Sequence, residues 1–234
     1  MIQFYAPELS ESLFLSPEES HHCVKVLRKR TGDIIYVTDG KGTRGECRII
    51  IADTRGVKLE LLSKTVVPKN WKNEISLAVA PTKNADRMAW LVEKATEIGL
   101  DRILFINCRN SERKNLNVER LRRNALSAMN QSLKAYLPKV EEMVRLEDIL
   151  TMEGEKYFGY CDSEINRKEF VKTYESHRDV LIAIGPEGDF SKEEVMLMKD
   201  AGFTAVTFGA ERLRTETAAL YSVAAVHVID DLNN

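Results

Sequence analysis

Two short loops near the end of the chain combine residue types that could hold a ligand. The first, IGPEGDFS at residues 184–191, joins an apolar segment to a segment that begins like a helix. Its two glycines flank Pro-Glu, so the backbone can approach a ligand closely and present its amide groups. A plain strand-to-helix connection is the alternative interpretation, because Gly and Pro are common in such turns.

The second loop carries two arginines just before a helix is expected to begin. Residues 208–218 read FGAERLRTETA, in which an apolar strand-like end is followed by charges and then by Thr-Glu-Thr. Hydroxyl and acidic residues stabilise a helix N-terminus, which accounts for the threonines and the glutamate. It does not account for Arg212 and Arg214, because cations are disfavoured beside that positive end. Their position therefore indicates a negative or polar ligand.

The segments around both loops alternate between strand and helix. Such alternation predicts a parallel sheet with helices on both faces, and ligands of these sheets bind at the carboxyl ends of the strands. The expected strands are residues 75–80, 102–107, 157–161, 180–185 and 203–209. The expected helices are residues 85–98, 117–133, 167–175, a run capped by Ser191, and the last run from residue 215.

Residues 1–70 have a different pattern, mostly strand with one helix. A capping box at residues 16–19, with Pro at the first helical position, predicts a helix that ends near Thr31-Gly32. Three β-rich runs at residues 33–39, 44–53 and 57–66 then predict a small barrel or sandwich. We expect two domains, 1–70 and 74–234, joined by the polar segment 66–73.

Residues 40–45 spell GxGxxG, the glycine pattern of dinucleotide-binding loops. In those loops a helix follows directly, and its N-terminus holds the pyrophosphate. Here the β-branched run ECRIIIAD follows instead. We therefore interpret these glycines as the tip of a hairpin.

Composition limits the possible classes of protein. The 234 residues carry a net charge of −2, contain no apolar run long enough to span a membrane, and begin without a signal-peptide pattern. Four dispersed cysteines form no CxxC pair, so we expect no metal site, no disulfide framework and a cytoplasmic location.

The charge is unevenly distributed along the chain. Residues 102–145 hold ten Lys/Arg against four Asp/Glu, a local net of +6, and a second basic cluster occupies residues 25–30. These clusters are either solvated helix faces or parts of one phosphate-binding surface.

Six motifs in the same order resemble the RsmE family of 16S rRNA uridine-N3 methyltransferases, within the SPOUT methyltransferases. The matching positions are His22, Val26, Leu27 and Arg28; Lys94 to Glu97 and Gly99; Ser111 and Arg113; Gln131, Ser132 and Pro138; and the two loops above. The chain departs from the family pattern at Ile98, Asn130, Asp189, Phe208 and Arg212.

The resemblance implies an α/β fold with a deep C-terminal trefoil knot and an N-terminal PUA-like β-barrel that binds RNA. It also implies S-adenosylmethionine as cofactor, held among the loops at 161–163, 185–190 and 208–214. The substrate would be a uridine in the decoding region of 16S rRNA in the small ribosomal subunit. The resemblance also implies a homodimer, and we expect neither a metal nor a membrane partner.

The implied roles fall on particular residues. The cofactor contacts are Ile184, Gly185, Pro186, Glu187, Gly188, Phe208, Gly209, Leu213, Arg214, Thr217 and Ala218. The RNA contacts are His22, Lys25, Arg28, Lys29, Arg30, Arg113 and Lys134.

Methyl transfer to uracil N3 requires the loss of a weakly acidic proton, and a cation near the base oxygens stabilises the resulting anion. Arg214 is the leading candidate for this cation, and Arg113, in the same subunit or across a dimer, is the second. Glu216 either takes the proton, orients Arg214 or only stabilises the helix N-terminus. Two other functions remain open: a related enzyme acting on ribose 2′-oxygen or tRNA, and a non-catalytic RNA-binding assembly factor.

Overall fold

A computed structural model describes residues 2–9, 12–162 and 165–234 of the chain. These residues form two compact units, which are described separately below. The first unit contains residues 1–70 and 126–137, and the second contains residues 71–125 and 138–234. Among the described residues, no helix combines the length and apolar character that a bilayer crossing requires.

The first unit is built on a five-stranded sheet. Its strands are β1 (Gln3–Tyr5), β2 (Ser12–Phe14), β3 (Ile34–Thr38), β4 (Thr43–Ile51) and β5 (Lys58–Val66). Their order is β1-β3-β4-β5-β2, with β1 parallel to β3 and the other pairs antiparallel. Alternate side chains of β3, β4 and β5, including Ile35, Ile49 and Leu59, are fully buried in one apolar core.

The GxGxxG segment is the hairpin tip that the sequence predicts. Gly40 and Gly42 lie in the turn between β3 and β4 and have φ values of +70° and +103°. Asp39 accepts hydrogen bonds from the backbone of Lys41 (2.7 Å) and Thr43 (2.9 Å), which closes the turn. The glycines therefore supply left-handed backbone and do not precede a helix.

The predicted N-terminal helix is shorter than expected. Helix α1 (Pro17–His21) begins at Ser16, whose hydroxyl accepts from the Glu19 backbone N–H at 3.2 Å. A π-helical turn over His22–Val26 continues it, and Arg28 then adopts a left-handed φ of 54°. The expected end near Thr31-Gly32 is thus wrong, because the wider turn already breaks the helical ladder before Arg28.

Residues 126–137 are held in the first unit by polar contacts. The Gln3 amide donates to the Lys134 carbonyl at 2.7 Å, and the Arg44 guanidinium donates to the Leu133 carbonyl. The Asn130 amide donates to the Glu19 carboxylate at 3.1 Å. Burial raises the pKa of Glu19 to about 7, and the hydrogen bond from Asn130 opposes this shift.

The second unit contains the predicted parallel sheet. Its strands are β6 (Ile75–Val79), β7 (Arg102–Asn107), β8 (Lys139–Arg145), β9 (Glu155–Gly159), β10 (Lys168–Glu169), β11 (Val180–Ile184) and β12 (Thr204–Thr207). Their order is β10-β12-β9-β11-β6-β7-β8, and every pair is parallel. All five residues of β6 and of β11 are buried, as expected for central strands of such a sheet.

Six helices, counted over the described ranges, accompany these strands; the end of one of them, residues 126–131, is grouped with the first unit. They are α2 (Ala85–Ile98), α3 (Val118–Gln131), α4 (Leu146–Leu150), α5 (Phe170–Thr173), α6 (Lys192–Asp200) and α7 (Thr215–Leu232). Helix α2 ends at Gly99, and α6 begins with the predicted capping box between Ser191 and Glu194.

Two elements were not expected from the sequence, and two others differ from their expected form. Strand β8 and helix α4 were not predicted; for β8, the charges at the exposed positions of KVEEMVR obscure its apolar alternation. The helix expected at 167–175 is the two-residue strand β10 followed by the one-turn helix α5. The last strand ends at Thr207, so that Phe208 and Gly209 belong to the following loop.

Candidate active site

A cavity of about 600 Å³ lies at the carboxyl ends of β9, β11 and β12. Both loops singled out from the sequence border it, at 184–187, 189 and 208–215, together with residues 159–161. Residue 163 of the third predicted loop lies outside the described residues. The predicted cofactor contacts that line the cavity are Ile184, Gly185, Pro186, Glu187, Phe208, Gly209, Leu213, Arg214 and Ala218. Gly188 and Thr217 are not among the described lining residues.

Two glycines in the cavity wall are packed tightly against neighbouring side chains. A Cβ at Gly159 would lie 2.8 Å from the Phe208 ring and 3.2 Å from Ile184. A Cβ at Gly185 would lie 3.1 Å from the Phe190 ring. The wall is therefore formed by closely packed backbone, which suits recognition through main-chain groups.

Asp189 joins two of the loops. Its carboxylate accepts hydrogen bonds from the backbone N–H groups of Cys161 and Phe190, both at 2.9 Å, and its φ is 62°. Burial raises the pKa of Asp189, while these N–H groups and the charge of Arg212 oppose the shift. The two departures from the family pattern, at 189 and 212, thus interact electrostatically with each other.

The other loop contacts are made by hydroxyl and aromatic groups. The Thr215 hydroxyl donates to the Gly185 carbonyl at 3.1 Å, so the start of α7 is fixed to the loop after β11. The Phe208 ring lies 5.3 Å from the Phe170 ring and 6.1 Å from the Tyr221 ring, measured between centroids. Phe208 therefore fixes the start of its loop by apolar packing.

Arg214 stands at the position the sequence predicts for a ligand-facing cation. It is the N-cap residue of α7, is exposed, lines the cavity, and makes no capping hydrogen bond with its side chain. Arg212 is also exposed and lines the cavity. The cavity thus combines an arginine pair with the positive end of a long helix, which favours an anionic or strongly polar ligand.

Glu216, which the sequence offered as proton acceptor or as the residue that orients Arg214, is not among the described residues that line the cavity. It is 7% exposed, and its Oε1 lies 3.5 Å from Nη1 of Arg87. Arg87, in the first turn of α2, lines the cavity, and sequence reasoning did not identify it. The available signal was its place just after the predicted strand at 75–80, at the carboxyl edge of the sheet.

Arg113 lies apart from the large cavity. Its guanidinium donates to the Thr82 carbonyl at 3.2 Å and to the Lys83 carbonyl at 3.2 and 2.6 Å. It borders a second cavity of about 280 Å³ together with Lys83, Glu112, Lys114 and Asn115. The structure therefore brings Arg214 to the large cavity but leaves Arg113 outside its lining.

Most predicted RNA contacts belong to the first unit. His22, Lys25, Arg28 and Arg30 are exposed, and Lys29 is half-buried. Lys134 belongs to the same unit, and burial lowers its pKa. Arg113 lies in the second unit.

The cysteines differ in exposure. Cys23, Cys47 and Cys108 are buried, as small apolar side chains are, whereas Cys161 is exposed and lines the large cavity. Cys161 differs from the other three because it lies in the loop after β9, two residues beyond Gly159. Across the described ranges, no three His, Cys, Asp or Glu side chains are grouped so as to hold a metal ion.

Comparison with known proteins identifies the family. An RNA methyltransferase domain model matches residues 69–227, and an RNA methyltransferase PUA domain model matches residues 15–62. Ribosomal RNA small subunit methyltransferase E of Rickettsia conorii is 28% identical over 226 residues, which cover 95% of this chain and 91% of that protein. The chain belongs to the RsmE family of RNA methyltransferases.

Solved structures of RsmE relatives have the same fold. One described as a probable rRNA-methyltransferase from Porphyromonas gingivalis is 37% identical, with a TM-score of 0.93 and coverage of 100% of both chains. A Ribosomal RNA small subunit methyltransferase E from Neisseria gonorrhoeae, bound to S-adenosyl methionine, is 27% identical, with a TM-score of 0.87 and coverage of 98% of both chains. The RsmE resemblance seen in the sequence motifs is thus confirmed along the whole chain.

Proposed function

We propose that this protein uses S-adenosylmethionine to methylate N3 of a uridine in the 16S rRNA of the small ribosomal subunit. The observation that carries the proposal is the arginine-bearing cavity at the carboxyl ends of β9, β11 and β12, in a chain of the RsmE family. The relative from Neisseria gonorrhoeae was solved with this cofactor bound.

The residues of the cavity fit the proposed cofactor. Its volume of about 600 Å³ lies within the range of roughly 300–1,000 Å³ that ligand pockets occupy. The glycine wall at 159 and 185 would present backbone to the adenosine, and Arg212 would suit the carboxylate of the cofactor. Of the other predicted contacts, Gly188 would act through the shape of its loop, and Thr217 through the first turn of α7, to which it belongs.

When bound, the cofactor supplies an electrophilic methyl group on sulfur, which leaves as a neutral thioether. The chain contributes position and charge. Arg214 is placed to stabilise the negative charge that develops on the base oxygens as N3 loses its proton. Arg113, held against the carbonyl groups of residues 82 and 83, is assigned to RNA contact near the smaller basic cavity.

We further propose the finer features that the family resemblance implies. A trefoil knot within residues 74–234 is supported by the close association of the loops after β11 and β12, through Thr215 and Gly185. A PUA-like barrel within residues 1–70 is supported by the five-stranded sheet and the PUA domain match.

A homodimer is supported by apolar side chains exposed on α7, namely Tyr221, Val228 and Leu232. A metal-independent enzyme of the cytoplasm agrees with a ribosomal RNA substrate.

RNA binding is assigned to the basic surface of the first unit. The double charge reversal Arg28→Glu and Arg30→Glu is expected to weaken RNA binding and to lower its salt dependence, because up to two phosphate contacts are lost at about 0.9 each in slope. Titration of small-subunit RNA at several salt concentrations measures both quantities. Arg55→Glu, at an exposed position of the same unit, is the matched control. An unchanged slope would show that Arg28 and Arg30 form only a solvated face.

The proposed reaction is tested by incubating purified protein with undermethylated small subunits and labelled cofactor. We expect one labelled nucleoside, N3-methyluridine, from the RNA of the subunit. Label in ribose 2′-O-methyl groups or in tRNA would support the related SPOUT activity instead. RNA binding without any transfer would indicate an assembly factor.

A further inference from the structure

The large cavity is lined by Arg167 and Arg87 as well as by Arg212 and Arg214, and the Arg167 guanidinium donates to the carbonyl groups of Tyr160 and Cys161. Arg87 lies in the first turn of α2, lines the cavity, and keeps 34% of its side chain exposed. Arg214 approaches the same cavity from the N-cap position of α7. Two guanidinium groups on different helices therefore border the space in which methyl transfer is proposed.

A buried carboxylate fixes Arg87. Oε1 of Glu216 lies 3.5 Å from Nη1 of Arg87, and the Glu216 side chain is only 10% exposed. A buried carboxylate requires a partner, and its place in the first turn of α7 adds the favourable field of the helix. The other carboxylate oxygen of Glu216, Oε2, is buried and has no hydrogen-bond partner among the described residues. Arg87 is the ion-pair partner described for this carboxylate.

The guanidinium of Arg87 retains donors for a ligand. An arginine side chain has five N–H donors, and one contact to Glu216 leaves several free to point into the cavity. Arg113 differs, because its Nε and Nη2 donate to the carbonyl groups of residues 82 and 83. Arg87 is therefore better placed than Arg113 to act as the second cation beside Arg214.

The chemistry of the base calls for two cations. Loss of the N3 proton from uracil spreads negative charge over the two carbonyl oxygens on either side of N3. A donor at each oxygen stabilises this anion more than a donor at one, because the charge is shared between them.

We propose that Arg87 donates to one carbonyl oxygen of the target uracil, with Glu216 as its positioning residue; this rests on the proposed function. The N3 proton passes to water, and the N3 electron pair then forms the new bond to the methyl carbon. The bond between that carbon and sulfur breaks, and its electron pair stays on sulfur.

The test compares two substrates: undermethylated small subunits reconstituted with RNA that carries either uridine or 5-fluorouridine. Fluorine makes N3 more acidic, so the reaction depends less on stabilisation of the anion. Arg87→Ala is expected to lower kcat by about 10²-fold on uridine. The loss should be clearly smaller on 5-fluorouridine, and the Kd for S-adenosylmethionine, measured by calorimetry, should stay within about twofold.

The pH profile gives an independent readout. Arg87 lowers the pKa of N3 in the bound uridine, since it favours the anion. Without Arg87 the rising part of the rate profile should move to higher pH. Glu216→Gln keeps the shape of the buried side chain and should give the same changes with a smaller amplitude.

The matched control is Arg120→Ala. Arg120 pairs with Asp86, the residue beside Arg87, at 3.0 Å, yet Arg120 does not line the cavity. It should leave kcat and the pH profile unchanged. Equal losses for Arg87→Ala on both substrates, or a loss of cofactor affinity with normal kcat at saturation, would overturn the proposal. A wild-type protein that forms no N3-methyluridine would instead contradict the proposed function itself.

Discussion

Replacing Arg214 with alanine is expected to lower kcat for methyl transfer by about 10²–10³-fold and to leave the fold intact. The side chain is exposed at the N-cap of α7 and makes no capping hydrogen bond, so its removal costs no packing and no cap. What is lost is the positive charge at the cavity, where the negative charge of the base develops.

Single-turnover kinetics with saturating small subunits measures this effect, and circular dichroism checks the fold. Arg178→Ala is the matched control, because Arg178 is also an exposed arginine but precedes β11 and so lies at the opposite, amino end of that strand. The control should retain wild-type turnover. If Arg214→Ala turned over like the control, Arg214 would have no part in the reaction.

Replacing Gly159 with valine is expected to weaken binding of S-adenosylmethionine by about 5–150-fold. The new side chain would overlap Phe208, whose ring packs against Phe170 and Tyr221 and so cannot move freely. Overpacking of this kind costs about 1–3 kcal/mol, and each 1.4 kcal/mol is about tenfold in affinity. The strain falls on the loop after β12, which forms one side of the cavity.

Isothermal titration calorimetry measures the affinity, with thermal unfolding recorded in parallel. Gly56→Ala is the control, because a Cβ there would meet only Phe14, at an ordinary 3.9 Å. We expect normal cofactor affinity for Gly56→Ala. Wild-type affinity in Gly159→Val would show that the wall between Gly159 and Phe208 does not shape the cofactor site.

The sequence predicted the sheet of the second unit well, because its central strands are strongly apolar. The five residues of β11 and of β6 are all buried, and such runs between helical segments have few other interpretations. Caps were equally informative: the side chains of Ser191 and Glu194 make the reciprocal contacts that their spacing predicts. Both ligand loops consequently lie at the carboxyl edge, where they were expected.

Elements whose hydrophobic pattern is short or ambiguous were not predicted from the sequence. Strand β8 lies at an edge of the sheet and carries charges, so its apolar alternation is short. The π-helical turn after α1 has no sequence signal that separates it from a continuing helix. The sequence also offers no sign that residues 126–137 belong with the first unit, since this depends on contacts such as that of Gln3 with Lys134.

The residues of the candidate site were also only partly predictable from the sequence. Arg214 was identified because its charge conflicts with its local position, a conflict that is visible in the sequence. Arg87 also lies beside a helix N-terminus, but its partner Glu216 is far along the chain and meets it only in the folded structure. Pairing between distant segments is thus the part of the candidate site that sequence reasoning did not reach.

A crystal structure of the protein with S-adenosylmethionine and an oligonucleotide containing the target uridine tests the central claim most directly. We predict that the cofactor occupies the cavity bordered by residues 159–161, 184–187, 189 and 208–215, with its methyl group directed at N3 and Arg214 beside a base oxygen. A cofactor bound elsewhere on the chain, or a uridine whose N3 faces away from the methyl group, would contradict the account.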